Sequence, residues 1–565
     1  LTSTDITPYE DLINKWHLEK KDKDKEKSVP IKPILFWIEN TTPHELRPII
    51  KNAVLAWNIA FEEAGFIDAI AVKIQPDDAD WSAGDIRYNV LRWTSSPNPP
   101  FGGYGPSFTN PRTGEILGAD IMLEWIYLTN RVRYSEIFEN QENSNNDFCH
   151  NSLLKQENRI FGKLATEALD LNENEISRLY EEDLYQLILH EVGHTLGLNH
   201  NFASSTLHNN SDVHNPEITY KEGLSSSVMD YHALNIAPLG VEQGQYADVK
   251  PGKYDVLAIK YGYTPELSKK DLNTMLEKYS SNEYLFGNDG DDMRSPGKGI
   301  DPRVMLYDMS SDPLGYAQQR MDIINSIYPS LLDRFETPGE SYHFFRSAFS
   351  ILNRQYGSST RIISRFIGGV YMDRSMVGQK GKEDPFSPVP REEQKWAMTL
   401  LSKYLFSADA FRFSEEIYSH LQWQRRGWSG TKDPKIHDMV LNMQKGVLDQ
   451  LLHQNVLKRI TDTELYGNTY ALSQMMNDLT TACFSADAGS NVSTMRINLQ
   501  TEYTKRLISV VHNKGKVKYD HASVALSYEN LNKIKKYASK VKSVDETTKA
   551  HRKHLIYIID KALDT

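Results

Sequence analysis

LILHEVGHTLGLNHNF, Leu187–Phe202, places three histidines and one glutamate within eleven positions. His190 and His194 are four residues apart, so on a helix they share one face and lie one turn from each other. Two imidazole rings in this arrangement can bind one metal ion. The opposite face is apolar at every fourth position, which is typical of a helix that packs against the protein body. Its residues are Leu184, Ile188, Val192 and Leu196.

The third histidine, His200, reaches the same point only if the helix ends before it. If the helix continued, the ten residues from His190 to His200 would separate these histidines by about 15 Å along the axis. Zinc ligands, in contrast, each lie about 2.0–2.1 Å from the metal. Gly197 stands where the end of a helix needs left-handed backbone, which glycine adopts without steric penalty. The spacing H-E-x-x-H-x-x-G-x-x-H therefore predicts one Zn²⁺ held by His190, His194 and His200.

Glu191 follows the first histidine and predicts a general base. It lies about 100° around the helix from His190, where its carboxylate can reach a water in the open fourth position of the metal. Zinc lowers the pKa of its bound water to about 7, and a carboxylate can pass the proton to a leaving amine. These residues predict amide hydrolysis. A short H-E-x-x-H match is common by chance, whereas the added glycine and histidine at fixed offsets make a chance match rare.

The long motif resembles that of the metzincin zinc endopeptidases, in which a methionine-containing turn follows beneath the metal. The turn is present as SSSVMDY, Ser225–Tyr231, with Met229 after the third histidine. The resemblance implies that Met229 lies under the site. It also places Tyr231 where astacin-like and serralysin-like members keep a tyrosine that can approach the zinc. Asn201 after the third histidine fits none of the best-known metzincin families, so the subfamily stays open.

Further segments resemble the large bacterial extracytoplasmic zinc-dependent metalloproteases with a long helical C-terminal region. The segments are HEVGHTLGLNHNFASS, SSVMDYHALNIAPLG, YDVLAIKYGY, RFIGGVYMDR and FSPVPREEQKWAM. The match extends from about Lys32 to about Phe406 and becomes less specific toward its end. It implies a peptide or protein substrate and a periplasmic or secreted, hence extracytoplasmic, location.

Two alternatives to an active endopeptidase stay open. One is a zinc-binding pseudoenzyme that binds peptides or a partner without cleaving them. The other is a zinc hydrolase that acts on a non-peptide amide. Glu191 favours an active enzyme, because a decayed site has little reason to keep the base.

Composition and charge restrict the classes of partner and of location that the protein can have. A net charge of −11 argues against a nucleic-acid partner, and the basic stretch Asn532–Lys542 predicts a solvated helical face. No apolar run has the roughly 18 residues of a membrane span. The chain opens at Leu1 without a signal-peptide pattern, as a processed or shortened chain would. Cys149 and Cys483 cannot form a disulfide framework, and no latency cysteine can be assigned.

The part of the chain before the motif predicts an α/β layout with a mixed sheet. PILFWIE, AIAVKIQP and DIRYNVLRW predict strands, and the stretch after the first strand predicts a helix that ends at Gly65. The start of this helix is open between a capping box at Thr42–Glu45 and Pro48 in the first turn. Strand, helix, strand and strand then precede the motif helix, which is the metzincin order.

The edge of this sheet is expected near Tyr104–Phe108, over the cleft. YGPSFTNPRTGEILGADIMLEW predicts two strands around a turn at Asn110–Gly114, and by the resemblance the first is the edge strand. An extended peptide can add to such an edge as another strand. Pro106 has no N–H, so we expect a gap in the pairing there.

From about Asp312 onward, apolar positions at helical spacing predict a mainly α-helical C-terminal domain that is interrupted at GGVY and acts as a scaffold. NDGDD, Asn288–Asp292, offers carboxylates for Ca²⁺ but lacks EF-hand spacing. The expected organisation has four parts. They are an N-terminal segment (1–30) with a charged linker at Leu18–Pro30, a metzincin-like α/β (α+β) zinc peptidase domain (31–265) closed by a helix at Lys253–Tyr263, a connecting region (266–311) and the helical domain (312–565).

Overall fold

In the computed structural model, the chain divides into two units. Unit 1 comprises Leu1–Asn288, Met309–Asp312 and Gly378–Gly381, and unit 2 comprises Asp289–Asp308, Pro313–Val377 and Lys382–Thr565. The structure describes residues 3–8, 11–96, 102–125, 147–168, 173–277, 281–291, 295, 297–379, 383–422, 433–515, 518–540 and 545–564.

Unit 1 contains a mixed sheet, as predicted. Its described strands and the helices between them are β1 (Ile34–Ile38), α1 (Arg47–Ala56), α2 (Asn58–Glu63), β2 (Ile70–Ile74), β3 (Asn89–Thr94), β4 (Gly103–Tyr104), β5 (Ser107–Thr109) and β6 (Ile116–Glu124). The strand order is β2-β1-β3-β6, with β4 and β5 both paired to the outer side of β6. Strands β2, β1, β3 and β6 run parallel to one another, whereas β4 and β5 run antiparallel to β6. The predicted edge near Tyr104–Phe108 is therefore confirmed.

The start of α1 resolves the choice that the sequence left open. The helix begins at Arg47, with Pro48 in its first turn and no side-chain cap. The capping box at Thr42–Glu45 is therefore wrong, because the proline has the fixed φ of a first turn and no N–H to satisfy. After α2, Gly65 adopts a φ of 92° and ends the helical segment, as predicted.

The remaining helices of unit 1 follow the sheet. They are α3 (Asp147–Ala168), α4 (Glu173–Thr195), α5 (Pro216–Glu222), α6 (Lys253–Tyr263) and α7 (Lys269–Leu276). Helix α4 carries the histidine motif, and α6 confirms the helix predicted at the same residues. Helix α3 was not predicted from the sequence.

The core of unit 1 lies between the sheet, α1 and α4. The apolar face predicted for the motif helix is buried there, since Leu184, Ile188 and Val192 pack with α1 and the strands. Trp57 is fully buried, and its Nε1–H donates to the Leu189 carbonyl of α4 at 3.1 Å. Burying one large apolar side chain is worth about 1.5–3 kcal/mol. This packing fixes the face of α4 that presents the histidines.

The N-terminal segment differs from the expected linker. Lys20 and Pro30 form an antiparallel bridge, and Ser28 pairs with Phe66 in a parallel one. Ser28 is buried, whereas most of the charged side chains around it are exposed. The composition predicted solvated side chains correctly but carried no signal that the backbone would pair with unit 1.

Unit 2 is mainly helical, as predicted. Its described helices and its two-stranded sheet are α8 (Pro313–Phe335), α9 (His343–Arg365), β7 (Val370–Met372), β8 (Phe386–Pro388), α10 (Arg391–Leu401), α11 (Glu415–Ser419), α12 (Ile436–Leu451), α13 (Gln454–Thr463), α14 (Leu472–Phe484), α15 (Thr494–His512), α16 (His521–Ala538) and α17 (Glu546–Leu563). The predicted interruption at GGVY is strand β7, which pairs antiparallel with β8.

Two sequence features of unit 2 can be placed on these elements. The described part of the basic stretch lies on and just after α16, where Lys536 and Lys540 are exposed and Lys535 pairs with Asp560. Asp292, at the end of the acidic stretch, lies outside the described residues. Across the described ranges, no helix is both long and apolar enough to cross a membrane.

Candidate metal centre and active site

The structure brings the three predicted histidines together. His190 and His194 lie one turn apart on α4, which ends at Thr195, and the chain then turns so that His200 returns to them. One ring nitrogen from each of the three lies within 4.8 Å of the others. In the part of the chain that the structure describes, this is the one group of histidines, cysteines and carboxylates that could hold a metal ion.

Gly197 makes this turn possible for two separate reasons. Its φ is 97°, a left-handed conformation that residues with a Cβ rarely adopt. A Cβ at this position would also lie 1.9 Å from the carbonyl oxygen of Asn14 in the N-terminal segment. The last carbonyls of the helix are satisfied nearby, because Trp16 Nε1 donates to Thr195 at 2.8 Å and Tyr263 Oη donates to Leu196 at 2.9 Å.

The tautomers of two histidines follow from their backbone partners. His190 Nδ1 lies 2.8 Å from the Val228 carbonyl, and His194 Nδ1 lies 3.0 Å from the Leu198 carbonyl. Because a carbonyl oxygen only accepts, each Nδ1 carries the hydrogen and each Nε2 is bare of hydrogen. Burial, followed by His194 and His200, lowers the pKa of His190 well below its ordinary value, which also favours the neutral ring.

This donor set fits a zinc ion. The two bare Nε2 atoms of His190 and His194 lie 3.1 Å apart, and neither can donate to the other. Two nitrogens that bind one tetrahedral zinc at about 2.0–2.1 Å lie about 3.3 Å apart. Neutral imidazole nitrogens that converge in this way are the ligands that zinc prefers, and their Nδ1–H bonds to backbone hold the rings in orientation.

Tyr231 lies beside the histidines, as predicted. Its Oη is 3.1 Å from His200 Nε2, and its ring stacks on that of His190 with centroids 4.7 Å apart. Phe202 also packs against His200, with centroids 4.9 Å apart. The phenol therefore points at the place where the three histidines converge.

Glu191 is buried on α4 directly against the edge strand. Burial raises the pKa of Glu191 to about 7, although the charge of Lys155 and a hydrogen bond from the Gly105 N–H lower it. A Cβ on Gly103 would lie 2.4 Å from Glu191 Oε1, and one on Gly105 would lie 2.4 Å from the Glu191 carbonyl oxygen. Sequence reasoning missed these two glycines and Lys155. The run FGGYGP was a signal for close backbone approach.

Met229 is fully buried and packs against α4 at Gly193. A Cβ on Gly193 would lie 2.3 Å from Met229 Sδ and 3.0 Å from Trp57, so a glycine within the helix lets the turn approach. A glycine inside a helical pattern is a signal for such a contact.

The turn around Met229 is anchored by a buried aspartate. Asp255 Oδ2 accepts from the Val228 N–H at 2.9 Å, and Asp255 Oδ1 accepts from Ser227 Oγ at 2.6 Å. Burial raises the pKa of Asp255 to about 7, although these hydrogen bonds lower it. The Val228 carbonyl that orients His190 is therefore held from α6.

Other candidate residues are not members of the triad. Two buried histidines of the loop after the motif, His208 and His214, are not among its members. His208 Nε2 donates to the Gly223 carbonyl at 2.8 Å. In the acidic stretch, Asp291 pairs with Arg374, so a cation already faces one of the carboxylates. A calcium site there stays a prediction. The side chain of Cys149 lies outside the described residues.

The fold and the site together define a class. A mixed α/β unit, a histidine triad on and just after one helix, a glutamate after the first histidine and a buried methionine turn are the features of zinc-dependent metallopeptidases. The chain belongs to the Met-zincin family, whose model matches residues 172–491, more than half of the chain. This family and the histidine cluster support a zinc metalloprotease in general. Comparison with curated proteins and with solved structures gave no match.

Proposed function

We propose that this protein is a zinc-dependent endopeptidase, with His190, His194 and His200 as the zinc ligands and Glu191 as the general base. The observation that carries the proposal is the convergence of three imidazole nitrogens, two of which are bare Nε2 atoms 3.1 Å apart. When bound, zinc supplies an acidified water and polarises a carbonyl oxygen. Membership of the Met-zincin family supports this chemistry.

Glu191 transfers the proton in this reaction. Its carboxylate accepts a proton from the attacking water and delivers it to the leaving amine nitrogen. The close approach of Gly103 and the N–H of Gly105 leave the carboxylate little freedom to turn away. A base held in one orientation loses little entropy in the reaction.

Tyr231 acts on the carbonyl oxygen. When water adds to the scissile carbonyl, negative charge develops on the oxygen, and a phenol O–H aimed at that point stabilises it mainly in the transition state. The position of Tyr231 Oη, 3.1 Å from His200 Nε2, supports this role.

The substrate lies along the sheet edge near Tyr104–Phe108. Strands β4 and β5 are the outermost strands beside β6, and β4 runs directly over Glu191. An extended peptide that adds to this edge is held through its main chain over several residues. The Tyr104 and Phe108 side chains are 39% and 45% exposed, so they offer apolar surface to alternate substrate side chains. Pairing has a gap at Pro106.

Two measurements test the proposal. Incubation of the zinc-loaded chain with an unbiased peptide library should give internal cleavage that stops when a chelator is added. Metal analysis should find one zinc per chain, and His200→Ala should lower occupancy far more than His208→Ala. Equal loss of zinc in both variants would reject the ligand assignment, and binding of peptides without cleavage would favour a pseudoenzyme.

The proposal includes an extracytoplasmic location, which follows from the resemblance to bacterial extracytoplasmic metalloproteases. Fractionation of cells that express the complete protein, with detection in the periplasm or medium, tests it. Detection in the cytoplasm alone would reject it.

A further inference from the structure

The residues on each side of Tyr231 are buried, and their hydrogen-bond partners are not members of the histidine triad. Asp230 is 1% exposed and His232 is 6% exposed, whereas the Tyr231 side chain between them reaches His200. The two neighbours are therefore placed to hold the backbone from which Tyr231 projects.

Asp230 joins this segment to the loop after the third histidine. Its Oδ2 accepts from Ser204 Oγ at 2.9 Å and from the Ser205 N–H at 3.0 Å. The backbone adds a parallel link, because the Asn201 N–H donates to the Met229 carbonyl at 3.0 Å. The turn and the loop that carries His200 are thus held to each other on both sides of the Asp230 side chain.

His232 joins the segment to the motif helix. Its Nδ1–H donates to the Ala233 carbonyl at 2.9 Å, and its Nε2 faces Asp248 Oδ2 at 3.1 Å. The Gln186 amide lies 2.7 Å from the same Nε2. Gln186 is on α4, one turn before His190. His232 is thereby fixed to the helix that carries two of the three histidines.

Asp248 closes the arrangement, because it holds both ends of the turn. Its Oδ2 faces His232, while its Oδ1 accepts from the N–H groups of Leu224 at 2.9 Å and Ser225 at 3.2 Å. The same buried carboxylate therefore holds both ends of the segment from Leu224 to His232. These hydrogen bonds of Asp248 restrict the movement of the segment.

We propose that Asp230 and His232 are positioning residues, which fix the phenol of Tyr231 over the histidine triad by anchoring its two neighbours in different elements. The inference rests on the proposed function, because it assigns a purpose to the position of Tyr231 in peptide hydrolysis. Neither residue touches the substrate. Their effect on catalysis passes through Tyr231, since small displacements of a donor group lose much of its effect.

A double-mutant cycle on kcat tests this dependence. Removing one donor to a developing oxyanion typically costs about 10²–10³ in kcat. We expect His232→Gln and Asp230→Asn each to lower kcat by about tenfold, with KM and zinc content nearly unchanged. In a Tyr231→Phe background each should change kcat by less than about twofold, because the hydroxyl they position is gone. An equal loss of kcat in both backgrounds would overturn the proposal.

A matched control separates positioning from general destabilisation. The Asn58 side chain also links two elements, since it bonds both the N–H and the carbonyl of Ile70, at 2.9 and 3.0 Å, but it touches none of the site residues. Asn58→Ala should reduce stability and leave kcat unchanged. If His232→Gln does not fold, Ser204→Ala is the milder variant, because it removes one of the two hydrogen bonds to Asp230 Oδ2, together with the contact of Ser204 Oγ to the Ser227 carbonyl at 3.0 Å.

A second readout does not depend on activity. In crystal structures of the metal-free His232→Gln and Asp230→Asn variants, the distance between Tyr231 Oη and His200 Nε2 should exceed the 3.1 Å found here. An unchanged distance in both variants would overturn the proposal. If the unaltered protein cleaves no peptide, the proposed function fails, while this distance still tests the positioning role.

Discussion

At the scale of single residues, a substitution of Glu191 distinguishes metal binding from catalysis. Glu191→Gln keeps the shape of the side chain and leaves all three histidines untouched. We therefore expect zinc content to persist while hydrolysis falls by at least the roughly 10²–10⁴ that a general base contributes. Metal analysis and kcat on one peptide substrate measure the two effects. A variant with unaltered kcat would assign the base to another residue.

Gly193 sets the distance between the motif helix and Met229. Alanine normally stabilises a helix interior by about 0.8–1.0 kcal/mol relative to glycine. At Gly193 its Cβ would lie 2.3 Å from Met229 Sδ, and overpacking of this kind costs about 1–3 kcal/mol. We expect Gly193→Ala to lower the free energy of unfolding by about 1 kcal/mol, as measured by urea denaturation.

Gly446 provides the matched control for that prediction. It lies inside α12, where an added Cβ would meet no atom within 4 Å. Gly446→Ala should therefore raise the free energy of unfolding by about 0.5–1 kcal/mol. The two substitutions have the same chemistry and opposite expected signs. A stabilising Gly193→Ala would mean that Met229 moves aside without cost.

At the scale of elements, the edge strand depends on two glycines. Gly103→Ala would bring a Cβ to 2.4 Å from Glu191 Oε1, so the strand or the carboxylate must shift. We expect kcat to fall by about tenfold or more, because the base loses its orientation, while zinc content stays constant. Kinetics with one peptide and metal analysis of the same sample measure both.

Gly118 on β6 is the control for the edge strand. A Cβ there would have its nearest neighbour at 3.5 Å, an ordinary contact distance, so Gly118→Ala should leave kcat unchanged. A similar loss of kcat in both variants would mean that the sheet as a whole, and not its contact with Glu191, controls activity.

The elements with a strong local signal were predictable from the sequence. Helix α4 repeats its apolar residues every four positions, and β1, β2 and β3 are short apolar runs between turn residues, so periodicity alone locates them. The histidine triad was predictable for the same reason, because its spacing refers to one helix and the glycine that ends it. Helix α3 was missed, because polar and charged residues interrupt the apolar ones throughout DFCHNSLLKQENRIFGKLATEA and no continuous apolar face stands out.

Contacts between distant segments were not predictable. Asp248 and Asp255 hold the turn around Met229 through Ser225 and Val228, which lie 23 and 27 positions away along the chain, and nothing local distinguishes the two aspartates from surface aspartates. The backbone pairing of the N-terminal segment with Gly114 and Glu115 is likewise a contact between residues that are far apart in the sequence. Its residues have no strand or helix period, so only the folded partner surface specifies their place.

At the scale of the whole molecule, both units bury ionisable groups within hydrogen-bond networks. In unit 1 the buried carboxylates Asp248 and Asp255 accept several hydrogen bonds each. In unit 2 a buried histidine, His551, takes part in the network between α15 and α17. Its partner Gln500 donates through Nε2 to the Cys483 carbonyl and to Asp487, so Gln500 Oε1 is left to accept from His551 Nε2 at 2.9 Å.

This network predicts that acid weakens the fold. Burial, followed by the charges of His554 and Arg552, lowers the pKa of His551 from 6.5 to about 4. Between these two values the unfolded chain binds a proton that the folded chain does not, so the free energy of unfolding falls as the pH drops from about 6.5 toward 4. The contribution is on the order of 2–3 kcal/mol across this window. His551→Gln keeps a donor to Gln500 and cannot titrate, so urea denaturation at pH 7 and at pH 4.5 should show a smaller loss for this variant than for the unaltered protein. Equal losses in the two proteins would mean that His551 is protonated in the fold without cost.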